Sequence, residues 1–169
     1  MPAGARPIPT LLTGPIYLSC WTRCRFRVTG WIANVDGLNW FLDEVWQALD
    51  LPGISLDIYG RIDQGFRTCV VPGVQFHGFV ASLADIYASV DIVINPVRFG
   101  AGLKIKTVEA MAAGRPLVTS AERARGLTEF DKKAFLIAEN ASAFRDALAR
   151  LIDSELLRQT LRDTAIAYV

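Results

Sequence analysis

The feature that most limits what this chain can become is a repeated alternation of short Val/Ile-rich runs with amphipathic ones. From Phe26 onward, FRVTGWI, SLDIYG, VQFHGFV, DIVINP, PLVTS and AFLIA read as strands, because β-branched and aromatic side chains suit a pleated, buried surface. Between them, Leu38, Phe41, Leu42, Val45, Trp46 and Leu49 recur with the spacing of one helix face. Leu83, Ile86, Tyr87 and Val90 trace a shorter helix, which Ser82, with Asp85 three residues on, is placed to cap. Phe144, Ala147, Leu148 and Leu151 mark another, and a last helix starts near Ser154 with Leu157 and Leu161 on its buried side. Strands alternating with helices on short turns predict a single α/β domain: an open, parallel, Rossmann-like sheet with helices on both faces. Ligands of such sheets sit beyond the carboxyl ends of the strands, so function is expected in the loops that follow them.

Composition supports that reading. Apolar residues make up 51% of the 169, yet no run approaches the roughly 18 that a membrane-spanning helix requires. Strands buried on both faces account for the excess. A formal net charge of +1 gives no global field to recruit nucleic acid or an anionic membrane. Cys20 and Cys24 could be half a metal site, but the three cysteines, Cys20, Cys24 and Cys69, lack a partnering histidine cluster, His77 being the only histidine, and they read as reduced thiols of a cytoplasmic protein. The opening residues lack a basic segment followed by an apolar one, so no secretory signal is read there.

Residues 1–25 depart from the rhythm. Pro2, Pro7, Pro9, Pro15, Gly4 and Gly14 interrupt any long element, LLTGPIYL is at most an edge strand, and WTRCRFR reads as a solvated basic stretch. The expected division is a linker or irregular segment over 1–25 and the Rossmann-like domain over 26–169.

The segment NPVRFGAGLKIKTVEAMAAGRP, residues 95–116, carries the chemistry. A strand ends in a loop containing Gly100 and Gly102, and a helix follows at once. Glycines let the backbone approach a phosphate, and the amides at a helix start favour an anion. Lys104 and Lys106 add positive charge. Helical spacing puts Lys106 and Glu109 together on an outward side, with Ile105, Val108, Met111 and Ala112 toward the core. A diphosphate followed by a ribose diol would suit that arrangement. Spacing alone equally allows an ordinary glycine loop followed by a surface Lys–Glu pair worth about 0.3–0.5 kcal/mol.

GAGLKIKTVEAMAAGRPLVTS, followed by RGL at 125–127, is similar to the donor-site signature of group 1 retaining glycosyltransferases of the GT-B type, which have two Rossmann-like domains. GWIANVDGLNWFLDEVW resembles the first strand, loop and helix of that family's C-terminal domain, and SLDIYGR and VQFHGFVASLADIYASVDIVINP resemble its next strands in order. The likeness runs from Val28 to Val169. It implies that Glu109 holds the ribose hydroxyls, that Gly100, Ala101, Gly102 and Leu103 line the diphosphate, and that Lys104 and Lys106 stand beside it. It further implies that Gly78, Phe79 and Val80 receive the nucleobase, that Asn34 sits in the first strand–helix loop at the cleft rim, and that Arg61 supplies a second phosphate-binding cation. Lys106 and Arg61 would be the catalytic pair. Many members carry a second carboxylate eight residues before the helix carboxylate, where this chain has Ala101, so a GxGxKxK loop is the better comparison.

Other residues have simpler readings. His77 reads as a satisfied strand histidine, Asn34 and Asp36 equally as N-caps, Gly114 as a helix C-cap, and Arg123 and Arg125 as parts of a solvated loop. Trp46 belongs to a buried stripe, and neither it nor Trp40 suggests a sugar platform.

The expected function is therefore donor binding in a glycosyltransferase. Its partners are a nucleoside-diphosphate sugar as substrate and a missing N-terminal domain that holds the acceptor; no cofactor and no metal are required. Without that domain the chain is expected to be inactive, and any peripheral membrane attachment falls to that domain. The alternatives are a non-catalytic nucleotide- or protein-binding module and an inactive truncated fragment.

Overall fold

A computed structural model describes residues 16–21, 29–49, 54–60, 71–78, 81–100 and 103–169. Six strands form one parallel sheet: β1 (Ile16–Trp21), β2 (Ile54–Tyr59), β3 (Val74–Gly78), β4 (Ile92–Asn95), β5 (Leu117–Ser120) and β6 (Leu136–Ala138). Their order is β3-β2-β1-β4-β5-β6. The first three strands step outward one way and the last three the other, so the reversal lies between β1 and β4. Helices α1 (Thr29–Trp40), α2 (Leu83–Ser89), α3 (Ile105–Ala112), α4 (Ala121–Ala124), α5 (Ala141–Asp153) and α6 (Glu155–Tyr168) complete the Rossmann-like fold.

The sequence pattern of β4, β5 and β6 follows from burial on both sides. Ile92 and Ile94 enter one apolar cluster and Val93 the other, as strand alternation requires. Val118 and Leu117 divide likewise, as do Leu136 and Ile137. The first cluster is closed by Leu38, Phe41, Leu42, Val45 and Trp46, with Phe144, Leu148, Leu151 and Leu161 from α5 and α6. Phe41 meets Phe144 edge to face at 5.5 Å. The second gathers Tyr87, Ala110, Met111, Ala124, Phe135 and Ala165. Ser82 caps α2 by accepting from the Asp85 amide at 3.2 Å. Gly114, with φ 60°, ends α3: its amide reaches Met111 O and the Arg115 amide reaches Ala110 O, as a left-handed C-terminal residue permits.

Two expectations near the start need correction. LLTGPIYL, placed in the linker and read as at most an edge strand, supplies an interior strand instead. Ile16–Trp21 pairs with β2 along its length and with β4 through Leu18, Ser19 and Cys20. The prolines that argued against it stand outside those six residues, so no ladder donor is lost. FRVTGWI, read as a strand, is helical from Thr29; its first three residues lie outside the described ones. Burial at Ala33, Gly37, Leu38 and Phe41 has helical spacing, and packing overrides the β-propensity of Thr29 and Ile32. The chain continues from α1 as a π-helical turn (Phe41–Val45) and a 3₁₀ turn (Trp46–Ala48), and Trp46 Nε1 donates to Pro72 O at 2.9 Å.

Candidate functional site

The loop leaving β4 at the point of strand reversal is held by four contacts. Asn95 is buried at the strand end, and its Nδ2 donates to Thr107 Oγ1 of α3 at 3.3 Å. Gly37 brings α1 against the next two residues: a Cβ there would stand 2.8 Å from Pro96 O and 2.9 Å from Val97 Cα. The Ser120 hydroxyl, at the β5–α4 junction, donates to Val97 O at 2.5 Å. Arg98 makes a two-pronged contact with Asp36 of α1, at 3.1 and 2.8 Å, while its guanidinium lies 5.4 Å from the centre of the Trp40 ring. Asp36 is therefore an ion-pair partner within a helix and not an N-cap.

Asn34 and Lys106 come together across this loop. Lys106 Nζ donates to Asn34 Oδ1 at 2.9 Å, joining α1 to α3 over 72 residues of sequence. Asn34 lies inside α1, not in a strand–helix loop, and α1 carries it to α3. The Asn34 amide is a neutral acceptor, and this bond orients the ammonium. Glu109 stands one turn further along α3, and both Lys106 and Glu109 are half-buried.

The expected facing of α3 is corrected by the structure. Thr107, Ala110 and Met111 are the buried residues, whereas Ile105 and Val108 are 46% and 44% exposed and Ala112 is exposed too. The hydroxyl of Thr107 decides the rotation. It accepts from Asn95 and donates to Arg123 O at 3.2 Å, so it must face inward, and the neighbouring apolar residues turn out.

Gly100 has φ 114°, a conformation that suits glycine and strains other residues. Leu103 is 84% exposed at the helix approach. Lys104 pairs with Glu122 of α4 at 3.6 Å, and Glu122 also receives Arg125 at 2.8 Å. Arg125 is 76% exposed, as a solvated residue should be. Arg123 is not: its Nη2 donates to the carbonyls of Phe99 and Gly100, at 2.5 and 3.2 Å. Burial draws the Arg123 guanidinium below its ordinary pKa, with Glu122 opposing the shift. The sequence reading missed this role. The available signal was that Arg123 stands three residues after a capping serine, just beyond β5.

At the other side of the sheet, Gly78 ends the edge strand β3 and pairs with Tyr59. Three strand spacings, about 14 Å, separate β3 from β4, so Gly78 does not adjoin the β4 loop. His77 beside it is a satisfied strand residue. Its Nε2 lies 2.5 Å from Asp57 Oδ1, and its ring stacks on Tyr59 with centroids 4.6 Å apart. Burial, then the Asp57 charge, raises the Tyr59 pKa, and a bond with Ser89 lowers it in part. Arg61, Phe79, Val80, Ala101 and Gly102 lie outside the described residues. Among the described residues, no three His, Cys, Asp or Glu side chains gather as metal ligands, and no helix is long and apolar enough to cross a membrane.

The profile of the family described as "Glycosyl transferases group 1" matches residues 24–154. Comparison with curated proteins by sequence gave no match. Among solved structures, the chain is similar to the C-terminal domain of the group 1 glycosyl transferase LpcC from Francisella tularensis, with TM-score 0.71, 18% identity, and 91% of this chain and 84% of that one covered. It is also similar to WaaG, a glycosyltransferase involved in lipopolysaccharide biosynthesis, with TM-score 0.69, 18% identity and coverage of 92% and 43%. Anabaena HepE, solved in complex with UDP and glucose, gives TM-score 0.68, 18% identity and coverage of 92% and 43%. At these identities the likeness is one of fold. The chain thus spans most of the LpcC domain but less than half of WaaG or HepE.

Proposed function

The chain belongs to the group 1 glycosyl transferases, and from that premise we propose that it is the donor half of such an enzyme, holding a nucleoside-diphosphate sugar beyond the carboxyl end of β4. The observation that carries this reading is the Asn34–Lys106 bond at the strand reversal, which fixes a cation beside a glycine loop. Open α/β sheets bind ligands at that point. Transfer breaks the bond between the sugar and the diphosphate, and negative charge develops on the departing oxygen. Lys106, already oriented by Asn34, would meet that charge without reorganising during reaction, and Arg61 would be a second cation. Backbone at Gly100, Ala101, Gly102 and Leu103 would line the diphosphate, with Lys104 tied to Glu122 behind it. Glu109 would accept from the ribose hydroxyls, and Gly78, Phe79 and Val80 would receive the base, an extended ligand bridging the interval between β3 and β4.

The complex of HepE with UDP and glucose makes uridine nucleotides the first to try. The acceptor belongs to the part of the relatives' length that this chain does not span, and transfer needs both reactants held in near-attack geometry. The charge work is assigned to cations and amides, so no metal is invoked. Glu109→Ala tests the reading. A charge-assisted hydrogen bond contributes about 1.5–3 kcal/mol, so ribonucleotide affinity should fall roughly ten- to a hundredfold in a variant that keeps its fold. The same loss for nucleotides lacking ribose hydroxyls would show that Glu109 does something else.

A further inference from the structure

Arg123 enters none of the steps above, yet its surroundings are the most constrained at the site. Ser120 Oγ accepts from the Arg123 amide at 3.3 Å while donating to Val97 O, so one hydroxyl ties the first turn of α4 to the β4 loop. Thr107 of α3 binds the Arg123 carbonyl. With its backbone fixed from two directions, Arg123 sends its guanidinium to the Phe99 and Gly100 carbonyls. A Cβ on Gly100 would stand 2.8 Å from that Nη2. The guanidinium thus fills the space that a side chain at position 100 would need, and the loop's conformation and Arg123 depend on each other.

We propose that Arg123 is a positioning residue for the donor: it anchors the Phe99–Gly100 peptide so that the Gly100 amide faces a bound diphosphate. The geometry follows from the planar trans peptide, in which C=O and N–H point oppositely. With Phe99 O drawn toward α4, the Gly100 N–H is turned to the other side. The role is one of shape, since the Nη2 bonds go to carbonyls of the protein. This inference rests on the donor-site reading.

The probe is whichever of UDP, GDP and ADP the unaltered chain binds most tightly, alongside its nucleoside. Arg123→Ala should weaken diphosphate binding about tenfold, the equivalent of 1.4 kcal/mol, and leave nucleoside affinity and the circular dichroism spectrum unchanged. Gly100→Ala strains the backbone at φ 114° and crowds the guanidinium, so it misdirects the same peptide and should give the same selective loss. The double variant should then lose no more than the worse single one, because both misdirect the same Gly100 amide. Raising salt from roughly 0.05 to 0.5 M should not erase the Arg123→Ala deficit, whereas a long-range charge effect on phosphate would be screened. Unchanged diphosphate affinity in folded Arg123→Ala, additive losses in the double variant, or a deficit that vanishes in salt each overturns the proposal. If Arg123→Ala does not fold, unchanged affinity in Gly100→Ala overturns it alone. An unaltered chain that binds none of the diphosphates sinks the donor-site reading, and this inference with it.

Discussion

Replacing Thr107 by valine isolates the bond network that holds the β4 loop. The side chain is fully buried, and valine keeps nearly its shape while removing one hydroxyl. That hydroxyl accepts from Asn95 Nδ2 at 3.3 Å and donates to Arg123 O at 3.2 Å. Two polar groups lose a partner, and a buried one left unsatisfied costs about 1–3 kcal/mol. Both bonds are long, which puts each near the lower end, about 2 kcal/mol together. The added methyl offsets up to about 0.8 kcal/mol, and threonine and valine have similar helix propensity. The expected net loss is about 1–2 kcal/mol. For a chain of this size, about 2–4 °C per kcal/mol gives a fall in melting temperature of roughly 2–8 °C. Urea unfolding followed by tryptophan fluorescence measures it. Thr107→Ser, which keeps the hydroxyl and loses a methyl, should cost about 1 kcal/mol or less. A valine variant as stable as the unaltered chain, or more stable than the serine variant, refutes the claim that the hydroxyl anchors α3 to β4.

Two further outcomes are expected. Glycine to alanine within a helix ordinarily gains up to about 1 kcal/mol. Gly37→Ala should instead lose about 1 kcal/mol, because the new Cβ meets backbone at Pro96 and Val97; a gain in the same unfolding assay would remove the close approach of α1 to the loop. Tyr59 binds its proton more tightly in the folded state, its pKa being raised above 10.0 chiefly by burial and next by Asp57. Its stabilising share is complete below about pH 10 and is lost as pH rises through the raised value. Tyr59→Phe should therefore flatten the alkaline decline in stability, and an identical decline in both proteins, measured by urea unfolding across that range, would refute the assignment.

Local pattern revealed much of the architecture because two-sided burial writes itself into sequence. The apolar runs of β4, β5 and β6 and the stripe of Phe144, Ala147, Leu148 and Leu151 each report a surface that must leave water. Ser82 and Gly114 were legible because capping depends on residues a few positions apart. What escaped depended on distant partners. Six residues without proline, next to a proline-rich stretch, gave no sign that they would pair on both edges. The rotation of α3 depends on the two remote partners of Thr107, which apolar spacing does not report. The candidate site divides in the same way. Gly100, Lys106 and Glu109 lie within one short segment, so their grouping was visible. The Asn34–Lys106 bond and the grip of Arg123 on Phe99 and Gly100 join residues far apart, and carbonyl contacts leave no side-chain pattern to read.

The measurement that bears most directly on the central claim is a calorimetric titration of the chain with uridine, UMP and UDP, repeated for the guanosine and adenosine series. A glycine loop beside Lys106 should bind one diphosphate more tightly than its monophosphate, and the monophosphate more tightly than the nucleoside. At about 100 times its dissociation constant that diphosphate should stabilise the fold by roughly 2.7 kcal/mol. Equal affinity for diphosphate and nucleoside, or no binding in any series, would contradict a donor site at the end of β4.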